Sequence, residues 1–135
     1  MSSMLGKSVL ITGGGSGIGR GVARHFAMQG ARVTISGRRE KKLAATSNEM
    51  NGKIAYVVGD VTREDDRKSM IQNSVKYGGR LDALISNAGN MYRSDVADLD
   101  EDELLSIFHS NVIAGMMLVK DCLLYTSPSP RDKRL

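Results

Sequence analysis

The chain has 135 residues, 41% of them hydrophobic and 25% charged, the composition of one globular domain rather than a disordered or fibrous chain. The net charge is +4, half of it from Arg131, Lys133 and Arg134 against Asp132 at the end, and aromatic residues make up only 4%, so no nucleic-acid partner is expected. One cysteine, Cys122, supports no disulfide framework or zinc site; with no basic-then-apolar leader and no run near about 18 apolar residues, the expectation is a soluble cytoplasmic protein with no membrane partner.

The first element is a short apolar strand, Ser8–Thr12. It opens into the glycine run Gly13-Gly14-Gly15-Ser16-Gly17-Ile18-Gly19, and a helix follows to about Gln29 with apolar spacing at Ile18, Val22 and Phe26. Glycines let backbone approach a ligand closely, and a helix N-terminus offers unpaired N–H groups and a positive dipole end to a phosphate. The fingerprint G-x-G-x-x-G/A fails in every register, whereas T-G-x-x-x-G-x-G fits on Thr12, Gly13, Gly17 and Gly19. Arg20 and Arg24 fall on the polar face of this helix, and His25 reads as a surface or boundary residue.

Strand 2 is Arg32–Ser36 and runs into Gly37-Arg38-Arg39. An NAD site places a carboxylate near here to pair with the ribose 2′-hydroxyl. Gly37 and Arg38 offer none, and a guanidinium pairs instead with a 2′-phosphate. This predicts an NADP site, with Arg38 the main ligand and Arg39 its support, over an NAD site. Helix 2 is placed at Glu40–Met50, with Leu43, Ala44 and Met50 on one side. Strand 3 is Ile54–Val58 and leads to Asp60-Val61, at the ligand-binding edge of a parallel sheet.

Helix 3 is expected to start with Thr62 as N-cap and Asp65 completing a capping box, and to stop at Gly78-Gly79. The mixed-sign run Arg63–Lys68 reads as a solvated face. Strand 4 is Asp82–Ser86, followed by Asn87-Ala88-Gly89 and a loop to Leu99. The last helix begins near Asp100, with Leu104, Ile107, Phe108, Gly115, Met116 and Val119 as its apolar stripe. Asn111 falls on that stripe, where a polar side chain calls for a partner.

The glycine spacing, Asp60-Val61, and Ser86-Asn87-Ala88-Gly89 together resemble the short-chain dehydrogenase/reductase family, in its compact single-domain branch. The resemblance covers Lys7 to about Asp121, roughly the cofactor-binding half of a family domain. It implies a three-layer α/β Rossmann-type fold, with a parallel sheet in order 3-2-1-4. It also implies that Thr12, Gly13, Gly15, Ser16, Gly17, Ile18 and Gly19 shape the diphosphate site. By the same resemblance Asp60 accepts from the adenine amino group, Val61 packs on the ring, Asn87 ties strand 4 to its neighbour, and Ala88-Gly89 approach the nicotinamide ribose. Asn111 matches the asparagine of the catalytic tetrad, which holds a water in a proton relay. The implied parent is a homo-oligomeric oxidoreductase moving hydride between NADP(H) and a small carbonyl or alcohol substrate.

The family's Tyr-x-x-x-Lys is absent: the residues four after Tyr56, Tyr77, Tyr92 and Tyr125 are Asp60, Leu81, Val96 and Ser129. The chain as written is therefore expected to be inactive, and a non-catalytic dinucleotide-binding or redox-sensing protein stays open as an alternative. The stretch Cys122–Asp132 resembles, residue for residue, the translation of a transposase adapter used in sequencing libraries. Residues 1–121 are thus read as a partial NAD(P)-binding domain and 122–135 as a non-native tail. Strand 4 would then be an exposed apolar edge that invites pairing, and the isolated chain is expected to be poorly soluble or partly molten.

Overall fold

The computed structural model describes residues 3–126. Four parallel strands, β1 (Ser8–Thr12), β2 (Arg32–Gly37), β3 (Ile54–Val58) and β4 (Ala83–Ile85), form one sheet in the order β3-β2-β1-β4. Three helices alternate with them: α1 (Gly17–Met28), α2 (Glu40–Glu49) and α3 (Glu64–Gly78). A long final helix consists of α4 (Glu101–Phe108), a π-helical turn (His109–Ile113) and α5 (Ala114–Thr126). The α/β fold and the strand order are those expected from the sequence.

Strand alternation builds the three layers. Val9, Ile11, Val33, Ile35 and Ile54 meet Ala23 of α1 and Leu43 of α2 on one face. Leu10 points the other way, to Met70 and Ile71 of α3 and Leu118 of α5. All five residues of β1 are buried, as a central parallel strand covered on both faces requires. Arg20 and Arg24 both pair with Glu49 at the end of α2, which clips these two helices together. His25 is exposed.

Several expectations are corrected. Ile18 is 77% exposed and does not join Val22 and Phe26 against the sheet. The first turn of α3 has Arg63, not Thr62, at its N-cap position. The Asp60 carboxylate takes both donors of Thr62, its backbone N at 2.9 Å and its Oγ1 at 2.7 Å. Thr62 is thereby held in a turn with Asp60, one residue ahead of the N-cap position. In the mixed-sign run, Arg67 is only 5% exposed, because it faces α5 rather than water.

The last helix differs most. Ala114 and Leu118 are the residues it buries, while Phe108, Met116 and Val119 are exposed. The π turn breaks the 3.6-residue period on which the expected stripe depended. Glu101–Tyr125 runs as 25 helical residues, and an 18-residue window within it has a mean hydropathy of 1.4, so by length and composition alone this stretch could cross a membrane. The exposed apolar surface lies here rather than along β4, which is three half-buried residues long. Cys122 packs beside Leu118, and burial pushes its thiol up to about 11, with the Asp121 charge adding to the effect. The remainder of the tail read as non-native, 127–135, lies outside the described residues.

On β2, Thr34 is fully buried, and among the described residues its Oγ1 meets no hydrogen-bond partner. Replacing an unpaired buried hydroxyl with a methyl removes a desolvation cost of about 1 kcal/mol. Thr34→Val is therefore expected to raise the thermal midpoint by a few degrees, read by far-UV circular dichroism. A lower midpoint would show that the hydroxyl is satisfied.

Candidate functional site

The carboxyl ends of all four strands open on one edge, and a cavity of about 240 Å³ lies there. Its walls come from the glycine turn (Gly13, Gly15, Ser16), the end of β2 (Ser36 to Arg39), the turn after β3 (Gly59 to Val61) and the segment after β4 (Asn87 to Asn90). Such a crevice at the strand ends is where open α/β sheets bind ligands.

The glycine turn is built by close packing. Gly13 has φ +70, and a Cβ there would sit 2.9 Å from Asn87 Nδ2 and 3.1 Å from Ala88 Cα. A Cβ on Gly19 would lie 2.2 Å from the Gly13 carbonyl oxygen, so only glycine lets the first turn of α1 rest on the loop. Ser16 is the N-cap residue of α1, yet its side chain makes no capping hydrogen bond, and no acidic residue occupies the first helical turn. The start of α1, next to the cavity-lining Gly15 and Ser16, therefore keeps N–H groups that no side chain of its first turn caps.

Thr12, fully buried under this turn, accepts from the backbone N of Asn87 and of Ala88, both at 3.0 Å. Asn87 Nδ2 donates to the Gly13 carbonyl at 3.1 Å. Three bonds thus tie the end of β4 to the end of β1. Gly89 is equally constrained: a Cβ there would meet Asn111 Oδ1 at 3.0 Å.

Asn111 sits within the π turn, on an exposed rather than buried part of the helix. Its amide grips the backbone of Asn90 at two points, Oδ1 accepting from the Asn90 N at 2.7 Å and Nδ2 donating to the Asn90 carbonyl at 2.8 Å. Asn90 Oδ1 in turn accepts from Arg38 Nη2 at 3.0 Å. Arg38 and Asn111, 73 positions apart by their numbers, are therefore joined through one residue.

Charge divides the cavity. Arg38, Arg39 and Lys42 line it, with the Asp60 carboxylate among them. Burial raises the Asp60 pKa, but the two hydrogen bonds from Thr62 and the charges of Arg38 and Arg63 outweigh it and hold the group below the ordinary carboxylate range. Asp60 is thus an anion at neutral pH and accepts hydrogen bonds only.

Of the expected site residues, Gly13, Gly15, Ser16, Arg38, Arg39, Asp60, Val61, Asn87, Ala88 and Gly89 line the cavity itself. Thr12, Gly19 and Asn111 support that lining from behind through the contacts above, while Gly17 and Ile18 are not part of it. Lys42, Asn90 and Ser110 also line the cavity and were missed. Lys42 lies in helix 2, where only its nearness to Arg38-Arg39 could have singled it out.

The family model for short chain dehydrogenases matches residues 7–129, past the boundary placed at Asp121. A glucose 1-dehydrogenase of Gluconobacter oxydans is 35% identical over 124 residues, which are 89% of this chain and 47% of that protein. The crystal structure of a short chain dehydrogenase from Bacillus anthracis superposes with a TM-score of 0.85 at 35% identity, covering 91% of this chain and 52% of the other. An actinorhodin polyketide ketoreductase crystallised with NADPH superposes with a TM-score of 0.81 at 26% identity, over 91% of this chain and 48% of its own. This chain spans about half the length of the curated relatives it matches. With the family model covering residues 7–129, the chain belongs to the short-chain dehydrogenase family.

Proposed function

We propose that the chain is the cofactor-binding half of an NADP(H)-dependent oxidoreductase acting on a small carbonyl or alcohol. The observation that carries this reading is the placement of Arg38, Arg39 and Lys42 around the same cavity as the glycine turn, with no carboxylate at the end of β2. A 2′-phosphate fits a guanidinium fork and is repelled by the carboxylate that an NAD site uses. The ketoreductase that superposes on this chain carries NADPH, which agrees with the assignment.

The residues fit such a cofactor. Gly13 and Gly19 let the turn pack closely on Asn87 and on itself, and the uncapped start of α1, with Gly15, Ser16, Gly17 and Ile18, suits the diphosphate. Arg38, supported by Arg39 and Lys42, would take the 2′-phosphate, giving up its bond to Asn90. Asp60 and Val61 would hold adenine, and Asn87, Ala88 and Gly89 the nicotinamide ribose. When bound, the cofactor supplies hydride chemistry. Asn111 would order water for proton relay while its amide keeps Asn90 in place.

No Tyr-x-x-x-Lys occurs in the 135 residues, so this chain taken alone has no evident donor for the substrate oxygen. Binding and turnover should therefore separate in it. The exposed apolar face of Phe108, Met116 and Val119 suits a second copy of the whole protein, as its proposed homo-oligomeric state requires. Ala114 and Leu118 bury the long helix against the rest of the fold, which favours a soluble, cytoplasmic protein over a membrane-spanning one.

Fluorescence titration of the chain is expected to show NADPH binding at least about tenfold tighter than NADH. Arg38→Asp should reverse that order, and an unchanged preference would overturn the NADP assignment. In the same sample, ketones and aldehydes should cause no protein-dependent loss of NADPH absorbance. Measurable oxidation would require a proton donor not recognised among these residues.

A further inference from the structure

The turn that carries Asp60 and Val61 has few bonds of its own to the sheet. Gly59 N donates to the Gly37 carbonyl at 2.8 Å, and Arg63 N closes the turn on the Asp60 carbonyl at 3.0 Å. Val61 packs against the cluster of Leu10, Met70, Ile71 and Leu118, and two adjacent residues of α3 bond to the backbone of the turn. Asp66 Oδ2 accepts from the Asp60 N at 2.8 Å, and Arg67 Nη1 donates to the Val61 carbonyl at 3.0 Å. Asp60 lies between two peptides that α3 holds directly, and its own carboxylate holds Thr62.

Arg67 is an unusual residue for this task. It is 5% exposed and lies beside the apolar cluster of Leu10, Met70, Ile71 and Leu118. Its Nε donates to Asp121 Oδ2 at 2.8 Å, and Asp121 is itself largely buried. A buried ion pair is a poor source of stability, because desolvation consumes most of the attraction, and apolar residues of similar volume serve as well or better. What an apolar residue cannot do is donate to the Val61 carbonyl. Asp121 fixes one arm of the guanidinium, and the planar fork then dictates where the other arm points.

We propose that Arg67 is a positioning residue for the adenine-binding end of the cavity, aimed by Asp121 on the last helix. This rests on the reading of Asp60 and Val61 as the adenine subsite. The same pair links that subsite to the helix carrying Asn111. Sequence reading had placed Arg67 in solvent and given Asp121 no role.

The test uses the 135-residue chain and two probes, NADPH and its hypoxanthine analogue, which lacks the adenine amino group. Two variants are compared with wild type: Arg67→Met/Asp121→Leu, which removes both charges, and Arg67→Lys, which keeps a charge for Asp121 but loses the fork. Wild type should prefer the adenine form about tenfold or more, the worth of a hydrogen bond to a carboxylate. A variant with a wild-type thermal midpoint should show that preference reduced to about threefold or less, with binding of the hypoxanthine form little changed. A merely structural role would weaken both probes equally. Full preference in a variant that melts with wild type would overturn the proposal. So would loss of a cooperative melt in both variants, since the pair would then be structural. If wild type binds both probes equally, the adenine reading of Asp60 fails and takes the proposal with it; if it binds neither, the dinucleotide reading itself fails.

Discussion

The carbonyl oxygen of Gly13 is the point on which the site depends. It accepts from Asn87 Nδ2 at 3.1 Å, which brings in the segment after β4. It also forms the surface on which Gly19 seats the first turn of α1, close enough that any side chain at 19 would overlap it. The turn itself hangs from β2, since the backbone N of Gly13 and of Gly14 both donate to the Ser36 carbonyl. The segment after β4 and the first turn of α1 therefore both meet the Gly13 carbonyl, while β2 holds the amide of the same residue. Little of this is side-chain chemistry, which explains why glycine rather than any functional group dominates the stretch.

From that point outward the cavity is organised by polarity of the sheet. Parallel strands all end on the same side, so the residues just past β1, β2, β3 and β4 share one rim. The basic group at the end of β2 and the carboxylate past β3 are brought within electrostatic reach of each other, and the effect is seen in the acidity of Asp60. The site thus offers cationic and anionic surface a short distance apart. That arrangement suits a ligand that carries both an anionic group and a neutral hydrogen-bond donor.

The strands were legible because Ser8–Thr12, Arg32–Ser36 and Ile54–Val58 are short β-branched or apolar runs between turn residues. The glycine turn was legible because its spacing has one purpose. What escaped was whatever depends on a distant partner. Nothing in Glu64-Asp65-Asp66-Arg67-Lys68 marks Arg67 as buried; its partner is 54 residues away. Asn90 gains its place from Arg38, 52 residues before it, and Asn111, 21 after. The cap of α3 was misassigned because Thr62, marked by its spacing to Asp65, is held in a turn with Asp60 one residue ahead of the N-cap position. The burial of the last helix was misread because its period was taken as unbroken.

That break has a consequence for how the last helix tolerates change. An α-helix turns by about 100° per residue, so one wide turn offsets the phase of everything beyond it. The segment before His109 and the segment after Ile113 are therefore out of phase with each other. A single-residue deletion inside 109–113 would make the helix regular and swing one half around relative to the other. Ala114 and Leu118 would leave the core, or Asn111 would leave Asn90, but both could not stay. The helix is in effect two rulers joined with a fixed offset, and substitutions on either side are free to vary only so long as the count between them is preserved.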